Sequence, residues 1–415
     1  MEKNSVPQRM AWIACQLGAR EHYSIPRALH RRGLLQSLVT DVWVGTRSGR
    51  RYFPVRRWRD RSASDIPTAL VRSFTTEAAI FEASRRLAKM HGWRLIVARN
   101  RWFQDRVIAT MRAAGIAAPG DEQRACFSYS YTARGPFQLA KQRGWKTVLG
   151  QIDPGPVEER IVATLYENTP EARGTWEPAP TEYWEEWREE CELADHIVVN
   201  SLWSQKALVE DGVSPDKIRV IPLAYDPPEA SRDFVRSYPS VFSRSRPMRV
   251  LFLGQANLRK GTSVLIDVMR RMRQAEVEFW IVGDVSVPVP VSVQSQENIR
   301  WVGSVPRSEA QNYYREADVF VLPTYSDGFA LTQLEAQAWK LPLITSPYCG
   351  DVVRNGRNGI LFSTVTADAL EFALDRLSKD PSQLLAMSQE SRVEERFSLS
   401  ALSQALSELG DCKSC

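Results

Sequence analysis

Residues 319–336 read Val-Phe-Val-Leu-Pro-Thr-Tyr-Ser-Asp-Gly-Phe-Ala-Leu-Thr-Gln-Leu-Glu-Ala. The four apolar residues at the start read as a strand buried on both faces, Pro323 stops it, and helical spacing begins after Gly328. Strand, turn and helix in that order make one βα unit of a doubly wound sheet. Ligands of such sheets sit outside the carboxyl ends of the strands, so the turn 323–330 is where chemistry is expected. The amides of Gly328 to Leu331 would lack intrahelical partners and offer a seat for phosphate oxygens, aided by the helix dipole. A plain helix start capped by Asp327 is the competing reading.

The same punctuation continues on either side. Strands are predicted at 250–254, 278–283, 299–305 and 343–346, and helices at 262–273, 307–316 and 331–339. Near-continuous runs of Val, Ile, Leu and Phe predict a parallel sheet covered on both faces. The turn after 250–254, Gly254-Gln255-Ala-Asn-Leu-Arg259-Lys260-Gly261, is a second anion site in waiting, with Lys260 as a point charge and Arg259 as a bidentate fork. Upstream, strands at 10–15, 125–129, 147–150, 196–199 and 218–222 predict another βα set, and 34–44 is a further extended run. Residues 24–32 read as a helix closed by Gly33, and 65–115 as mostly helical from the spacing of Ile80, Ala83, Leu87 and Met90. Residues 227–247 turn polar and aperiodic, rich in Pro, Ser and Arg, and read as a linker; 415 residues exceed one compact core.

Several segments together resemble the group 1 retaining glycosyltransferases, glycosyltransferase family four, over roughly 194–377. They are Ala-Asp-His-Ile-Val-Val-Asn-Ser at 194–201, Ile-Arg-Val-Ile-Pro at 218–222, Phe252-Leu253-Gly254 through Lys260-Gly261, Val-Gly-Ser-Val-Pro at 302–306, Ala-Asp-Val-Phe-Val-Leu-Pro at 317–323 and Asn-Gly-Ile-Leu-Phe at 358–362. The resemblance implies an α/β fold of GT-B architecture, two Rossmann-like domains with a donor/acceptor cleft between them. The expected division is an acceptor-side domain at 1–226, the linker 227–247, a nucleotide-sugar-binding domain at 248–381, and a helix at 382–415 that crosses back to the first domain before a frayed tail.

It further implies a hexosyltransferase-type enzyme. Sugar would pass from a nucleotide diphosphate donor, with retention and without a metal, to a hydroxyl acceptor on a polysaccharide, glycolipid or small metabolite. The family signature is two glutamates separated by seven residues, matched here by Asp327 and Glu335. By that pattern Glu335 accepts hydrogen bonds from the ribose, and Asp327 contacts the donor sugar. The implied donor set is Gln255, Arg259, Lys260, Gly328, Phe329, Ala330, Leu331 and Glu335. Asp327, Lys260 and Asp153 are expected at the chemistry, with Gly18 and Gln151 on the acceptor side.

Two departures stand out. Asp327 is a methylene shorter than the usual glutamate, and Gln255 occupies a usual arginine position, with Arg259 expected to compensate. A histidine common in the family has no match near 148–154, where Gln151 or Asp153 takes its place; a turn-forming Asp-Pro is the other reading of Asp153. A non-catalytic nucleotide-sugar-binding protein that kept the fold is therefore the alternative function. A sugar phosphorylase or epimerase on the same fold comes after it. A plain NAD dehydrogenase is disfavoured, because neither half opens with a complete G-x-G-x-x-G.

The net charge of +5 hides an asymmetry, since residues 1–150 carry 27 Lys/Arg against 10 Asp/Glu. Their densest stretch holds Arg47, Arg50, Arg51, Arg56, Arg57, Arg59 and Arg61 among Tyr52, Phe53 and Trp58. An anionic or lipid-linked acceptor, peripheral contact with anionic lipid, and a solvated loop are all open readings. No nucleic-acid module accompanies the charge, so nucleic acid is not an expected partner. With no D-x-D and four dispersed histidines, His22, His30, His91 and His196, no metal or other cofactor is expected. The six cysteines show no framework spacing, and Cys412-x-x-Cys415 has no second pair, which suits a reducing compartment. No apolar run approaches the about 18 residues of a membrane span, and 10–15 is too short for a signal peptide. The expected location is cytoplasmic, with contact at the inner membrane face left open.

Overall fold

A computed structural model of the chain describes residues 10–45, 58, 61–113, 123–172 and 176–411. Of the basic stretch only Trp58 and Arg61 fall among them; Arg47, Arg50, Arg51, Tyr52, Phe53, Arg56, Arg57 and Arg59, and likewise Cys412 and Cys415, lie outside the described residues.

The first sheet is built from β1 (Ala11–Gln16), β2 (Leu35–Thr40), β3 (Val71–Ser73), β4 (Arg124–Tyr129), β5 (Lys146–Gly150), β6 (His196–Val199) and β7 (Ile218–Val220). Its spatial order is β3-β2-β1-β4-β5-β6-β7. The second contains β8 (Met248–Leu253), β9 (Val277–Val282), β10 (Ile299–Gly303), β11 (Val319–Leu322), β12 (Leu343–Thr345) and β13 (Gly359–Leu361), in the order β10-β9-β8-β11-β12-β13. Every pairing between these strands is parallel.

Parallel strands covered on both faces need apolar side chains on both, and β11 meets this with four buried residues. Phe252, Phe279 and Phe320 sit at the centre of the second core, Trp12 and Phe127 in the first. In each sheet the strand order reverses at one place, between β1 and β4 and between β8 and β11. The turns that leave those strands flank a crevice, the usual ligand position of open α/β sheets.

Three places differ from the sequence reading. Residues 71–73 form the short edge strand β3 inside the stretch read as mostly helical, too brief to show a period. Residues 227–247 are packed onto the second half rather than loose. Buried Arg236 donates to the carbonyls of Tyr314, Arg315, Ala317 and Trp339. These carbonyls end the helices Arg307–Glu316 and Leu331–Ala338, where intrahelical partners run out. Finally, the helix Pro381–Glu390 stays with the second half through Leu384 and Met387, and only Leu399–Asp411 crosses to the first.

Candidate functional site

Because β8 and β11 are neighbours, the turns after them touch. Gly261 has φ +74, and a Cβ there would lie 1.8 Å from the Pro323 carbonyl oxygen, so only glycine permits this approach. The contact brings Lys260 to Asp327: their side chains form an ion pair in which both are about 15% exposed. Arg259 lies 3.8 Å from the same carboxylate and donates to the Ser326 carbonyl at 2.8 Å. Burial alone would raise the Asp327 pKa, but Lys260, Arg259 and the Phe329 amide together hold it below the usual carboxylate value. The capping reading of Asp327 gives way here, since Ala330 stands at the N-cap of the helix Leu331–Ala338 and no side chain caps it.

The cluster continues into the first half. Arg259 lies 3.3 Å from Glu158, and Ser326 Oγ donates to that carboxylate at 2.8 Å. Burial pushes Glu158 up to about 6 against the pull of Arg259, with Asp153 and Asp327 adding to the rise. Gly328 packs on the same half: a Cβ would stand 2.4 Å from the Ile152 carbonyl oxygen, and the Gly328 carbonyl accepts from Ser201 Oγ at 2.7 Å. Trp203 Nε1 donates to Ser326 Oγ at 3.1 Å. The turn that decides the fold therefore also joins the halves.

Asp153 stands beside this junction, and its Oδ1 accepts from Tyr131 Oη (2.6 Å), Gln151 Nε2 (3.0 Å) and the Gly155 amide (2.9 Å). Asp153 ties a turn through the Gly155 amide, as the turn reading expects, and also lines a cavity. Gln151 is fully buried, with Oε1 accepting from Trp187 Nε1 at 2.9 Å, so it positions Asp153 rather than facing open space. Tyr131 has a left-handed backbone, φ +73, a strain of about 1–3 kcal/mol. Buried Glu190 holds that conformation by accepting from the amides of Tyr131, Ala133 and Arg134. Gly18 donates its amide to Asp41 at 2.9 Å, and the space beside its Cα is filled by the Arg61 guanidinium.

Three cavities lie at the carboxyl ends of the strands and between the halves, and one of them is lined by the cluster itself. One, about 460 Å³, is lined by Gly254, Gln255, Asp284, Ser304, Arg307 and Glu335 at the carboxyl ends of β8, β9 and β10. A second, about 600 Å³, lies between the halves and shares Arg307 and Glu335 while adding His22, Arg61 and Tyr225. Glu335 at their junction accepts from Tyr314 Oη at 2.8 Å and lies 3.8 Å from Arg307. His22 is pushed down to about 4 by burial and by Arg307 and Arg27, and so faces the second cavity neutral. The third, about 220 Å³, is lined by Asp153, Glu158 and Arg259 with a set of aromatic rings.

The sequence-predicted residues thus separate. Lys260, Asp327 and Arg259 come together with Asp153 nearby, Gln255 and Glu335 share the first cavity, and Phe329 and Ala330 are buried in the second core. Arg259 opens onto the third cavity and Gln255 onto the first. Sequence reasoning missed Glu158, Tyr131, Glu190 and His22. Only Glu158 left a trace, as an acid in the first turn of the helix Pro156–Glu167. Among the described residues no three His, Cys, Asp or Glu side chains converge as a metal site, and no helix is long and apolar enough to cross a membrane.

Comparison with known proteins agrees with this fold. Residues 247–380 match the family described as group 1 glycosyl transferases. The amylovoran biosynthesis glycosyltransferase AmsK of Erwinia amylovora is 25% identical over 233 residues, 51% of this chain and 55% of that protein. The chain spans about half the length of the curated relatives it matches. Among solved structures, sucrose-phosphate synthase from Thermosynechococcus elongatus superposes with a TM-score of 0.63 at 18% identity, covering 97% of this chain and 98% of that one. Anabaena HepE in complex with UDP gives 0.58 at 14%, covering 96% and 99%. The architecture is GT-B, and within it residues 247–380 are similar to group 1 glycosyl transferases.

Proposed function

We propose that the protein transfers a glycosyl group from a nucleotide diphosphate sugar to a hydroxyl acceptor, with retention of configuration and without a metal. The observation that carries this reading is the Lys260–Asp327 pair at the junction of the two halves, with Glu335 one helix away on the wall of a nucleotide-sized cavity. Glu335 would take the ribose hydroxyls, and Gly254, Gln255, Asp284 and Ser304 the rest of the nucleoside. The diphosphate would lie on Lys260 and the amides at the start of the helix Leu331–Ala338. As the bond from the sugar C1 to the diphosphate oxygen breaks, those groups take up the growing negative charge. The acceptor oxygen forms its bond to C1 on the same face, and its proton passes to the departing phosphate oxygen. The UDP bound to HepE and the amylovoran biosynthesis named for AmsK are consistent with a nucleotide-sugar donor.

The test is a thermal-shift panel of UDP, GDP and ADP, with and without EDTA, on wild type and Glu335→Ala. A nucleotide at a hundred times its Kd stabilises by about 2.7 kcal/mol. One nucleotide is expected to stabilise the wild type regardless of EDTA and to lose its effect in the variant. If none does, the reading fails.

A further inference from the structure

The third cavity is unlike the other two. Tyr131 and Tyr183 stack with ring centroids 4.5 Å apart, Trp93 and Trp184 meet Tyr183 edge-on at 4.9 and 5.1 Å, and Trp176 stacks on Tyr166 at 5.5 Å. The polar groups are on the remaining side. They are Asp153, whose Oδ1 is already saturated by three donors while Oδ2 faces none of them, then Glu158, Arg259 and Asn257, while a further carboxylate of the lining, Glu159, is taken up by Trp184 and the Ala179 amide. Flat apolar faces on one wall and planar charged groups on the other match a ring that has C–H faces and a rim of vicinal hydroxyls. A volume of about 220 Å³ holds one such ring and is too small for a nucleotide.

Given the transfer reading of the adjoining cluster, we propose that this cavity seats a pyranose ring of the acceptor, so that the acceptor is a saccharide. Trp93, Tyr183 and Trp176 take its faces, and Asp153 Oδ2 and Glu158 orient its hydroxyls toward Asp327. The rigidity of the set favours this role. Trp93 Nε1 donates to the Glu177 carbonyl at 2.9 Å, and Glu159 accepts from Trp184 Nε1, so the wall is fixed before a ligand arrives. An aromatic wall with carboxylates is also the chemistry of a quaternary-ammonium cage, but here the carboxylates are engaged by the protein's own donors, Glu158 by Ser326 and Arg259, Glu159 by Trp184 and Asp153 by Tyr131 and Gln151.

Saturation-transfer NMR of the full chain with the methyl pyranosides of glucose, galactose, mannose and N-acetylglucosamine decides between these occupants, with choline as the competing probe. At least one pyranoside is expected to receive saturation on its ring C–H protons. Trp93→Ala should weaken it about tenfold, and Trp93→Phe should restore most of it. Nucleotide-induced thermal stabilisation, measured on the same samples, should be unchanged in both variants; this shows that they are folded and reads the donor site separately. Pyranosides that give no signal while a nucleotide still binds overturn the saccharide site and leave the transfer reading standing, whereas loss of all nucleotide binding by the wild type overturns the transfer reading itself. Choline bound in a Trp93-dependent way also overturns the proposal.

Discussion

At the level of single residues the centre of the molecule is a set of charges that hold one another. Lys260 and Arg259 face Asp327 and Glu158, and none of the four is freely hydrated. Removing Lys260 leaves the Asp327 carboxylate buried without its nearest cation. Lys260→Ala should cost about 3 kcal/mol by urea denaturation at pH 7, and less in acid, where the Asp327 carboxylate that has lost its lysine is neutralised by a proton. The same change should lower kcat on the order of a hundredfold, because the departing diphosphate loses its cation. Glu158 carries the opposite pH signature. Its folded pKa, about 6, lies above its ordinary 4.5, so the folded state holds more protons between these values, and stability falls as pH rises through the window. Glu158→Gln is expected to be more stable than wild type by on the order of 1–2 kcal/mol at pH 8, with the difference gone below pH 5. Equal denaturation midpoints at pH 8 would refute that assignment. Lys260, Asp327 and Glu335 were legible in the sequence because motif spacing and strand-end position mark them. Glu158, Tyr131 and Glu190 were not, since their roles come from packing between segments as far apart as 158 and 326, or 131 and 190, which no local pattern encodes.

Elements set the distances within which those residues act. Five of the six strands of the second half were readable as apolar runs with turn punctuation, because buried parallel strands leave long uninterrupted signals; the three-residue Gly359–Leu361 was not. Edge strands such as Val71–Ser73 and the packed segment 227–247 were not, for one is three residues long and the other is held by contacts distant in sequence, Arg236 on helix-end carbonyls and Arg246 on Asp318. The turn 323–330 is the element on which the two halves meet, and Gly328 is its point of contact. Gly328→Ala would drive a methyl group to within 2.4 Å of the Ile152 carbonyl, which must move along with Asp153. A displacement of about 1 Å at a reacting centre costs on the order of a hundredfold in rate. We therefore expect kcat to fall by about that factor, while nucleotide Kd, which depends on the cavity beside Glu335, changes less than threefold. Steady-state kinetics and nucleotide titration on the same preparation separate the two quantities.

Across the whole molecule the halves are tied at the cluster, by Leu202 and Trp203 on Asp351 and Tyr348, and by the last helix. Leu399–Asp411 lies on the helix Ser24–Arg31 of the first half, and Leu399, Leu402, Leu406 and Leu409 are all buried there with Trp12 and Leu29. Ser403 Oγ donates to the Ala28 carbonyl, and Lys146 reaches the carbonyls of Leu409 and Gly410 at the helix end. Burying four leucines contributes roughly 6–12 kcal/mol, comparable with the entire stability of a domain. The first half should accordingly depend on the end of the chain for its fold, whereas the second half has its own core around Phe252, Phe279 and Phe320. A chain that stops after Ser398 is expected to lose the first half's cooperative calorimetric transition and to become protease-sensitive within 10–226. Its second half should still be stabilised by a nucleotide that binds beside Glu335. Leu406→Ala offers a graded version, with a cost of about 2–5 kcal/mol confined to the first transition. If truncation left both transitions in place, the last helix would be only a strap between two self-sufficient halves. Closure of the cleft would then have to be governed by the cluster at Lys260, Asp327 and Glu158 together with the contacts of Leu202 and Trp203.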